Sequence, residues 1–181
     1  MFKYFFLLFF FLLSIANADN RDKIIKKLKN TYSVSFSFKQ SISGKIENGD
    51  CIIKYPKKIF CKYKKSNNKI LVSNGKSLVI TTRTGYYRYP LKNTPLYFIL
   101  DKNFLMEEIY NFEETIIDNK LIHYKIFENN NEINIFFDNK NFNIVGWQTK
   151  DIYQNQSTTY LSGIKINQKF NDDLFNIPIQ N

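Results

Sequence analysis

A β-hairpin is indicated by Gly49-Asp-Cys-Ile-Ile-Lys-Tyr-Pro-Lys-Lys-Ile-Phe-Cys-Lys-Tyr63, the stretch that holds both cysteines of the chain. Alternation along the two arms gives one face that carries Cys51, Ile53, Tyr55, Ile59, Cys61 and Tyr63. Pro56 lies between the arms, where a residue without a backbone N–H suits a turn. With residues 55–57 as the loop, Cys51 falls directly opposite Cys61. Opposed residues have Cβ atoms about 4.5–5.5 Å apart, and the closer pairs approach the spacing of a disulfide. We therefore predict a Cys51–Cys61 disulfide.

The composition indicates one sheet-rich domain. The chain has 181 residues, of which 44% are hydrophobic and 17% aromatic. This length suits a single well-buried domain, and a high aromatic share with only 6 Gly is typical of a sheet protein with a large apolar interior. The net charge of +10 is compatible with binding of nucleic acid or an anionic membrane. Because lysines are scattered over nearly every predicted strand and turn, we favour a solvated surface and predict no nucleic-acid partner.

Residues 1–18 have the three parts of a secretory signal peptide. Lys3 supplies the positive start, Tyr4–Leu13 is a continuous apolar run, and Ala16-Asn17-Ala18 fits the A-x-A cleavage pattern. The apolar run is shorter than the ~20 residues that span a bilayer, so a retained membrane anchor is the minor alternative. We expect cleavage near Ala18 and export of a soluble domain, residues 19–181, into an oxidising compartment in which a disulfide persists.

Patterns along the rest of the chain predict an antiparallel sheet with two helices. Helical spacing predicts a helix at Asn20–Asn30, and Thr94 with Pro95 begins a second helix of about ten residues. Asn74-Gly75 between two apolar runs predicts a hairpin with a type I′ turn. Patterns of strand type and flanking turn residues predict strands at Thr31–Ile42, Lys45–Tyr55, Ile59–Tyr63, Ile70–Ser73, Ser77–Thr82, Tyr86–Tyr89, Ile109–Glu114, Leu121–Glu128, Glu132–Asp138, Phe142–Thr149 and Thr158–Asn167. The expected fold is mainly β, a curled antiparallel sheet with helices on its concave side.

The sequence lacks the motifs of the common enzyme classes. Nucleophile elbows, Cys-x-x-Cys pairs and glycine-rich dinucleotide turns are missing. His123, the only histidine, lies in an apolar predicted strand without a cluster of ligands around it, and we interpret it as structural. Glu107-Glu108 and Glu113-Glu114 are adjacent pairs, whose side chains would face opposite sides of a strand. We therefore predict no enzymatic activity, no metal and no cofactor.

A set of short motifs lies between Ser33 and Leu100, with one more near the C-terminus. The motifs are Ser35-Phe-Ser-Phe-Lys-Gln40, Gly44, Gly49, Tyr55-Pro56, Tyr63, Ile70-Leu-Val-Ser-Asn-Gly-Lys-Ser-Leu78, Asn93-Thr-Pro-Leu96 and Asp173-Leu-Phe-Asn-Ile-Pro178. In order and spacing they resemble the LolA family of periplasmic carriers of outer-membrane lipoproteins. The resemblance implies an incomplete, unclosed antiparallel β-barrel of about 11 strands with a helical lid.

The resemblance also implies a function. A LolA-like carrier takes triacylated lipoproteins from an inner-membrane ABC transporter of the Lol type to an outer-membrane receptor, and we expect it to act as a monomer. Burial of acyl chain is worth about 0.8 kcal/mol per CH₂, so a sealed pocket would hold long chains too tightly for release. The candidate acyl-chain contacts are Phe36, Phe38, Ile53, Tyr55, Ile59 and Tyr63, and the candidate lid residues that fill the empty cavity are Leu96, Ile99 and Leu100. Inward-facing residues can serve as core and as binding surface at once, so both roles stay open.

One position departs from the family pattern. An arginine that ties the lid to the barrel commonly precedes the turn proline, and Tyr55 stands there instead. A phenol donates a single hydrogen bond and cannot form the bidentate fork of a guanidinium. Two alternative functions also stay open. One is a LolB-like receptor, which the absence of a cysteine at the predicted start of the mature chain disfavours; the other is a secreted binding module for another amphiphile or a polyanion.

Overall fold

The structure is a computed structural model that describes residues 19–65, 68–129, 131–150 and 154–179. Within these ranges, eleven strands form one antiparallel sheet, accompanied by three α-helices. The predicted signal peptide, residues 1–18, lies outside the described residues. No helix in the described ranges has the length and apolar character needed to cross a membrane.

The strands follow the chain as two meanders that meet in the middle of the sheet. They are β1 (Ser33–Ile42), β2 (Lys45–Lys54), β3 (Lys58–Lys64), β4 (Ile70–Asn74), β5 (Ser77–Thr81), β6 (Tyr86–Pro90), β7 (Thr115–Ile117), β8 (Leu121–Glu128), β9 (Asn131–Asp138), β10 (Ile144–Lys150) and β11 (Gln156–Ile166). Their order is β6-β5-β4-β3-β2-β1-β11-β10-β9-β8-β7, so β11 returns to pair with β1. In the described part of the chain β6 and β7 remain unpaired edges, and the predicted incomplete barrel is confirmed.

The hairpin around Pro56 has the predicted register. Cys51 of β2 lies opposite Cys61 of β3, with their Cα atoms 4.1 Å apart and their sulfurs bonded to each other. The Tyr55–Pro56 peptide bond is cis, and Lys57 follows with a φ of 64°. The predicted disulfide is therefore confirmed, and it joins two neighbouring strands at paired positions.

The connection at Asn74-Gly75 is a hairpin, as predicted, but its turn is not of type I′. Only Gly75 of the two residues has a positive φ, 94°. Ser73 pairs with Leu78, which makes the connection longer than the two-residue turn expected. The side-chain Oδ1 of Asn74 accepts hydrogen bonds of 3.0 Å from the backbone N–H groups of Lys76 and Ser77. An Asn side chain that takes the place of a backbone acceptor stabilises this longer loop.

The middle of the chain is helical for longer than predicted. Helix α2 (Leu96–Ile99) is followed by helix α3 (Lys102–Asn111), so the strand predicted at Ile109–Glu114 is wrong. Asp101 separates the helices and caps α3, because its Oδ1 accepts from the backbone N–H groups of the second and third helical residues at 3.1 and 3.3 Å. Leu105 and Ile109, four residues apart, are both fully buried, as expected for one face of a helix.

Helices α1 (Asn20–Lys29) and α3 pack together over one half of the sheet. Helix α1 lies at the predicted position and is joined to α3 by Lys102, whose Nζ donates to the carbonyl oxygens of Lys29 and Thr31 at 3.1 and 3.0 Å. The buried side chains of α1 and α3 pack in one apolar cluster with side chains of β8 and β9. The members of this cluster include Ile24 and Leu28 of α1, Leu105 and Ile109 of α3, and Ile122, Tyr124, Ile133 and Phe137 of the two strands. The strands of the other half of the sheet border the site described next.

Candidate functional site

A largely apolar cavity of about 280 Å³ lies on the inner face of the sheet next to α2. Its lining comprises Phe36, Phe38, Gln40, Ile42, Cys51, Ile59, Cys61, Tyr63, Lys69, Leu71, Leu78, Ile80, Tyr89, Thr94, Pro95, Leu96, Trp147, Thr149, Lys150, Ser157 and Thr159. Among the described residues, those of α1, α3 and β7 to β9 do not contribute to this lining. The cavity therefore occupies the half of the sheet that α1 and α3 leave uncovered.

Most of the predicted acyl-chain contacts border the cavity. Those that line it are Phe36, Phe38, Ile59 and Tyr63, together with both disulfide cysteines. Ile53 and Tyr55 lie outside the lining: Ile53 is buried in the core, and Tyr55 packs against the core while its N–H donates to the carbonyl of Tyr32 at 3.0 Å. The disulfide itself is thus part of the cavity wall.

Aromatic rings form much of this wall. Phe38 and Tyr63 meet edge to face with ring centroids 5.0 Å apart, and Phe36 meets Trp147 in the same way at 6.1 Å. Gly49 of β2 lies between β1 and β3, and a Cβ atom there would collide with the backbone oxygen of Lys62 and with the Phe38 ring. Burial raises the pKa of Tyr63, with a smaller contribution from Glu47, so this phenol remains neutral at physiological pH.

The predicted lid residues divide between the cavity and the core. Leu96, the first residue of α2, lines the cavity beside Pro95. Ile99 and Leu100 are 1% and 0% exposed and belong to the core cluster instead. In this structure, therefore, α2 faces the cavity through its N-terminal end only.

Lys57 joins the hairpin loop to the helical segment, in a set of bonds that we call the loop–helix contact. Its Nζ lies 2.9 Å from Oδ2 of Asp101, donates to the Tyr97 hydroxyl at 2.9 Å and sits 4.0 Å from the centroid of that ring. Its backbone N–H donates to the carbonyl of Leu100 at 2.9 Å. These partners, Tyr97 first, raise the pKa of Lys57. The resemblance to the family had indicated a basic residue at position 55 for this contact. In this chain the basic residue that links the hairpin to the helix is Lys57, two positions later.

A group of polar residues at one end of the cavity was not predicted from the sequence. The side-chain Nε2 of Gln40 donates to Ser157 Oγ at 3.0 Å and to Thr159 Oγ1 at 3.1 Å. The Tyr63 hydroxyl lies 3.5 Å from Oε1 of the same amide. Ser157 and Thr159 are 7% and 3% exposed. Gln40 follows Phe36 and Phe38 in the same alternation, which is the feature of the sequence that could have placed it on the inner face.

Comparison with known proteins identifies the family. The profile of the family described as outer membrane lipoprotein carrier protein LolA matches residues 29–178. The chain belongs to the LolA family. No curated protein sequence matches the chain.

Solved structures similar to this LolA-family chain include the following three proteins. A LolA superfamily protein from Nitrosomonas europaea is 10% identical, with 88% of this chain and 99% of that chain covered and a TM-score of 0.44. The lipoprotein LppX from Mycobacterium tuberculosis is 12% identical, with coverages of 85% and 96% and a TM-score of 0.48. An uncharacterized conserved protein from Thermus thermophilus is 6% identical, with coverages of 88% and 95% and a TM-score of 0.51, a likeness of fold alone.

The described part of this LolA-family protein contains no group of three or more His, Cys, Asp or Glu residues placed to hold a metal ion. His123 lies on β8, where its Nε2 is 2.8 Å from Oδ1 of Asn134 and its ring stacks on Phe136 with centroids 5.0 Å apart. Both contacts are with the neighbouring strand β9, so His123 has a packing role within the sheet.

Proposed function

We propose that this LolA-family protein is a periplasmic carrier that binds the acyl chains of triacylated lipoproteins in its cavity. It would take them from an inner-membrane ABC transporter of the Lol type, which supplies the energy for loading, to a receptor at the outer membrane. The observation that carries the proposal is an apolar cavity in a chain that belongs to this family. In this proposal the signal peptide is cleaved near Ala18, and residues 19–181 act as one monomeric carrier domain.

The proposed contacts with the acyl chains are the wall residues Phe36, Phe38, Ile59 and Tyr63. Their rings and methyl groups offer a surface on which each buried CH₂ of an acyl chain gains about 0.8 kcal/mol. The contact of Ile53 and Tyr55 with lipid stays a prediction, because neither lines the cavity with α2 in its present position.

The size of the cavity supports a moving lid. Pockets that bury a drug-sized ligand measure about 300–1,000 Å³, and this cavity of about 280 Å³ is smaller than that range. Three acyl chains therefore need additional space. Helix α2 has 4 residues, too few for a helix that is stable without tertiary contacts. We propose that α2 moves outward, that Leu96 leaves the cavity first, and that Ile99 and Leu100 follow it.

Capture of lipoproteins tests this function directly. When it is added to spheroplasts that contain the Lol transporter, the purified mature protein should recover triacylated lipoproteins in the medium. Phe36→Lys places a charge in the cavity wall and should abolish recovery. The matched control is Tyr160→Lys, at a position that is 58% exposed, and it should keep recovery.

The alternatives predict different results in the same preparation. Equal binding of any long-chain amphiphile, with no transfer of lipoproteins, would favour a general amphiphile-binding module. Binding of a polyanion with a steep salt dependence and no lipid would favour the second kind of module. Rescue of lipoprotein transport in a carrier-depleted bacterium, with Phe36→Lys as the inactive variant, supports the carrier.

A further inference from the structure

The inner face of the sheet changes character along the direction of β1. Phe36 and Phe38 lie in the aromatic part of the cavity wall, and Gln40 and Ile42 follow on the same face. Cross-strand pairing places Thr159 and Trp147 in the row of Gln40. The next row is formed in the same way by Ile42, Ser157 and Thr149. The cavity wall thus passes from rings to hydroxyl and amide groups within a few residues.

The hydroxyl groups in these rows have unused hydrogen-bonding capacity. Nε2 of Gln40 donates to both Ser157 Oγ and Thr159 Oγ1, so each hydroxyl accepts one bond and keeps its own hydrogen. Within the described residues, neither hydroxyl donates a hydrogen bond to a protein acceptor. Both side chains are buried in the cavity wall, where polar groups normally have partners. The structure therefore presents two oriented donors, fixed by one amide, to whatever occupies the cavity.

An acyl chain carries its only strong acceptor at the point where it is attached. Ester and amide linkages both place a carbonyl oxygen there, followed by a purely apolar chain. We propose that Ser157 and Thr159, oriented by Gln40, form a subsite that donates hydrogen bonds to the attachment carbonyls of an acylated ligand. The chains then extend past Phe38 and Phe36, and the head group lies towards Thr149 and the exposed Lys150. This inference rests on the proposed function and adds to it the part of the ligand that is recognised.

The test compares ligands that differ in the carbonyl oxygens alone. Two synthetic lipopeptides of equal chain length are titrated, one with two ester-linked palmitoyl chains on a glyceryl group and one with two ether-linked hexadecyl chains. Trp147, the only tryptophan in the chain, lines the cavity and reports binding through its fluorescence. We expect the wild-type protein to bind the ester about tenfold more tightly than the ether, the effect of two ordinary hydrogen bonds.

The variants locate the preference in the subsite. Ser157→Ala combined with Thr159→Val should bring the two affinities to within about twofold, whereas Thr159→Ser, which keeps the hydroxyl, should preserve most of the difference. The control is Thr158→Val, on the same strand and absent from the cavity lining, which should preserve all of it. A third peptide with a single amide-linked palmitoyl chain separates the two sources of carbonyl. Loss of its affinity in the double variant would extend the subsite to amides.

The results that overturn the subsite differ from those that overturn the carrier function. Equal affinities of wild-type protein for ester and ether, with saturable binding of both, would refute the subsite and leave the carrier proposal standing. A preference that survives in the folded double variant would refute it as well. Absence of saturable binding for all three lipopeptides would refute the proposed function itself. The comparison in wild-type protein needs no variant, so a double variant that fails to fold does not remove the test.

Discussion

Removal of the Lys57 ammonium should loosen α2 from the hairpin. Lys57→Met keeps the aliphatic stem and the backbone N–H that donates to Leu100. It loses the ion pair with Asp101, the hydrogen bond to Tyr97 and the contact with the Tyr97 ring. The variant thus removes the charged part of the loop–helix contact and leaves the backbone hydrogen bond, whose N–H can report separation of the loop from the helix.

The structure sets the expected size of the effect. The Lys57 and Asp101 side chains are 24% and 21% exposed, so solvent screens their interaction only in part. Hydrogen bonds to charged groups contribute about 1.5–3 kcal/mol when shielded, and a cation over an exposed ring contributes about 0.5–1 kcal/mol. Allowing for partial exposure, we expect Lys57→Met to cost about 2 kcal/mol and Tyr97→Phe, which keeps the ring, about 1 kcal/mol.

The contribution of Lys57 should be fully present at neutral pH. Its partners raise the pKa of Lys57 above the ordinary value of 10.5. A basic group with a raised pKa stabilises the folded state below its unfolded pKa and loses that effect as the pH rises through the folded pKa. The loop–helix contact should therefore be insensitive to pH between 6 and 9 (roughly the range below all lysine titration) and should weaken only in alkali.

Hydrogen exchange gives the assay. The backbone N–H of residue 57 is bonded across the interface to Leu100, so its exchange reports separation of the loop from the helix. A loss of about 2 kcal/mol corresponds to about 30-fold faster exchange, if this amide exchanges by local opening. Asp101→Asn keeps the oxygen that caps α3 and removes the charge, and its combination with Lys57→Met should show a coupling energy of about 1 kcal/mol.

Two results would refute this reasoning. Unchanged exchange at residue 57, together with an unchanged free energy of unfolding, would mean that the ammonium contributes nothing to the closed position of α2. Strict additivity of Lys57→Met and Asp101→Asn would mean that the two groups do not interact. If α2 competes with acyl chains, Lys57→Met should in addition bind the ester lipopeptide more tightly than the wild type does.

The remaining predictions concern stability. Reduction of the Cys51–Cys61 disulfide, whose residues are 10 apart in sequence, should lower the free energy of unfolding by about 3 kcal/mol in urea titrations. Burial, together with nearby carboxylates, raises the pKa of Glu108, so ionisation of this side chain destabilises the folded state. Glu108→Gln should therefore raise the free energy of unfolding at pH 7. It should have no such effect below pH 4, roughly the unfolded pKa, where the carboxyl group is protonated in both states. Gly49→Ala should cost about 2 kcal/mol, because the added methyl group would collide with the backbone oxygen of Lys62 on the neighbouring strand and with the Phe38 ring.

Each of these has a matched control. The Cys51→Ala/Cys61→Ala variant should unfold identically with and without reductant, and any difference would assign the effect to something other than the disulfide. The exposed Glu107→Gln variant removes only one of the carboxylates that raise the pKa of Glu108, so its pH-dependent gain should be smaller than that of Glu108→Gln. An equal gain in both would contradict the role of burial. Unfolding of Gly49→Ala at the wild-type midpoint would show that the Lys62 backbone and the Phe38 ring can both move without cost.

The sheet was predictable where one periodicity held over a whole element. Alternation in β1 and in the two arms of the hairpin, with a proline between the arms, was sufficient to place Cys51 opposite Cys61. The region after Leu100 failed because two patterns overlap there. Ile109, Tyr110 and Phe112 suggest a strand, but Leu105 and Ile109 are four residues apart and Asp101 is a helix cap. The cap and the spacing are the physical reason that the helix is favoured.

The candidate site was predictable in its apolar part and not in its polar part. Phe36 and Phe38 alternate with polar residues along β1, and this alternation was sufficient to predict that both face the interior. Gln40 continues the same phase, but a polar residue near the end of a strand has the same pattern whether it faces solvent or a cavity. Lys57 could not be assigned from the chain alone, because its role depends on Tyr97 and Asp101 being folded against the loop. Contacts between distant segments have no local pattern in the sequence.

The hairpin contains both the cross-linked wall of the cavity and the contact that must break when α2 moves. Its arms are cross-linked by a disulfide that lines the cavity, whereas its loop holds α2 through the side chain of Lys57. At about 0.8 kcal/mol per CH₂, burial of roughly three methylene groups offsets a contact worth about 2 kcal/mol. A chain that buries more methylene groups than this can thus displace the charged contact while the wall keeps its shape. The apparent affinity of a ligand rises with the population of the state that it binds. We therefore expect Lys57→Met to raise the affinity of lipopeptides whose long chains require α2 to move, and to leave unchanged that of chains short enough to fit the present cavity of about 280 Å³. An equal rise for all chain lengths would mean that the loop–helix contact must break for every ligand, and that it sets affinity without selecting chain length.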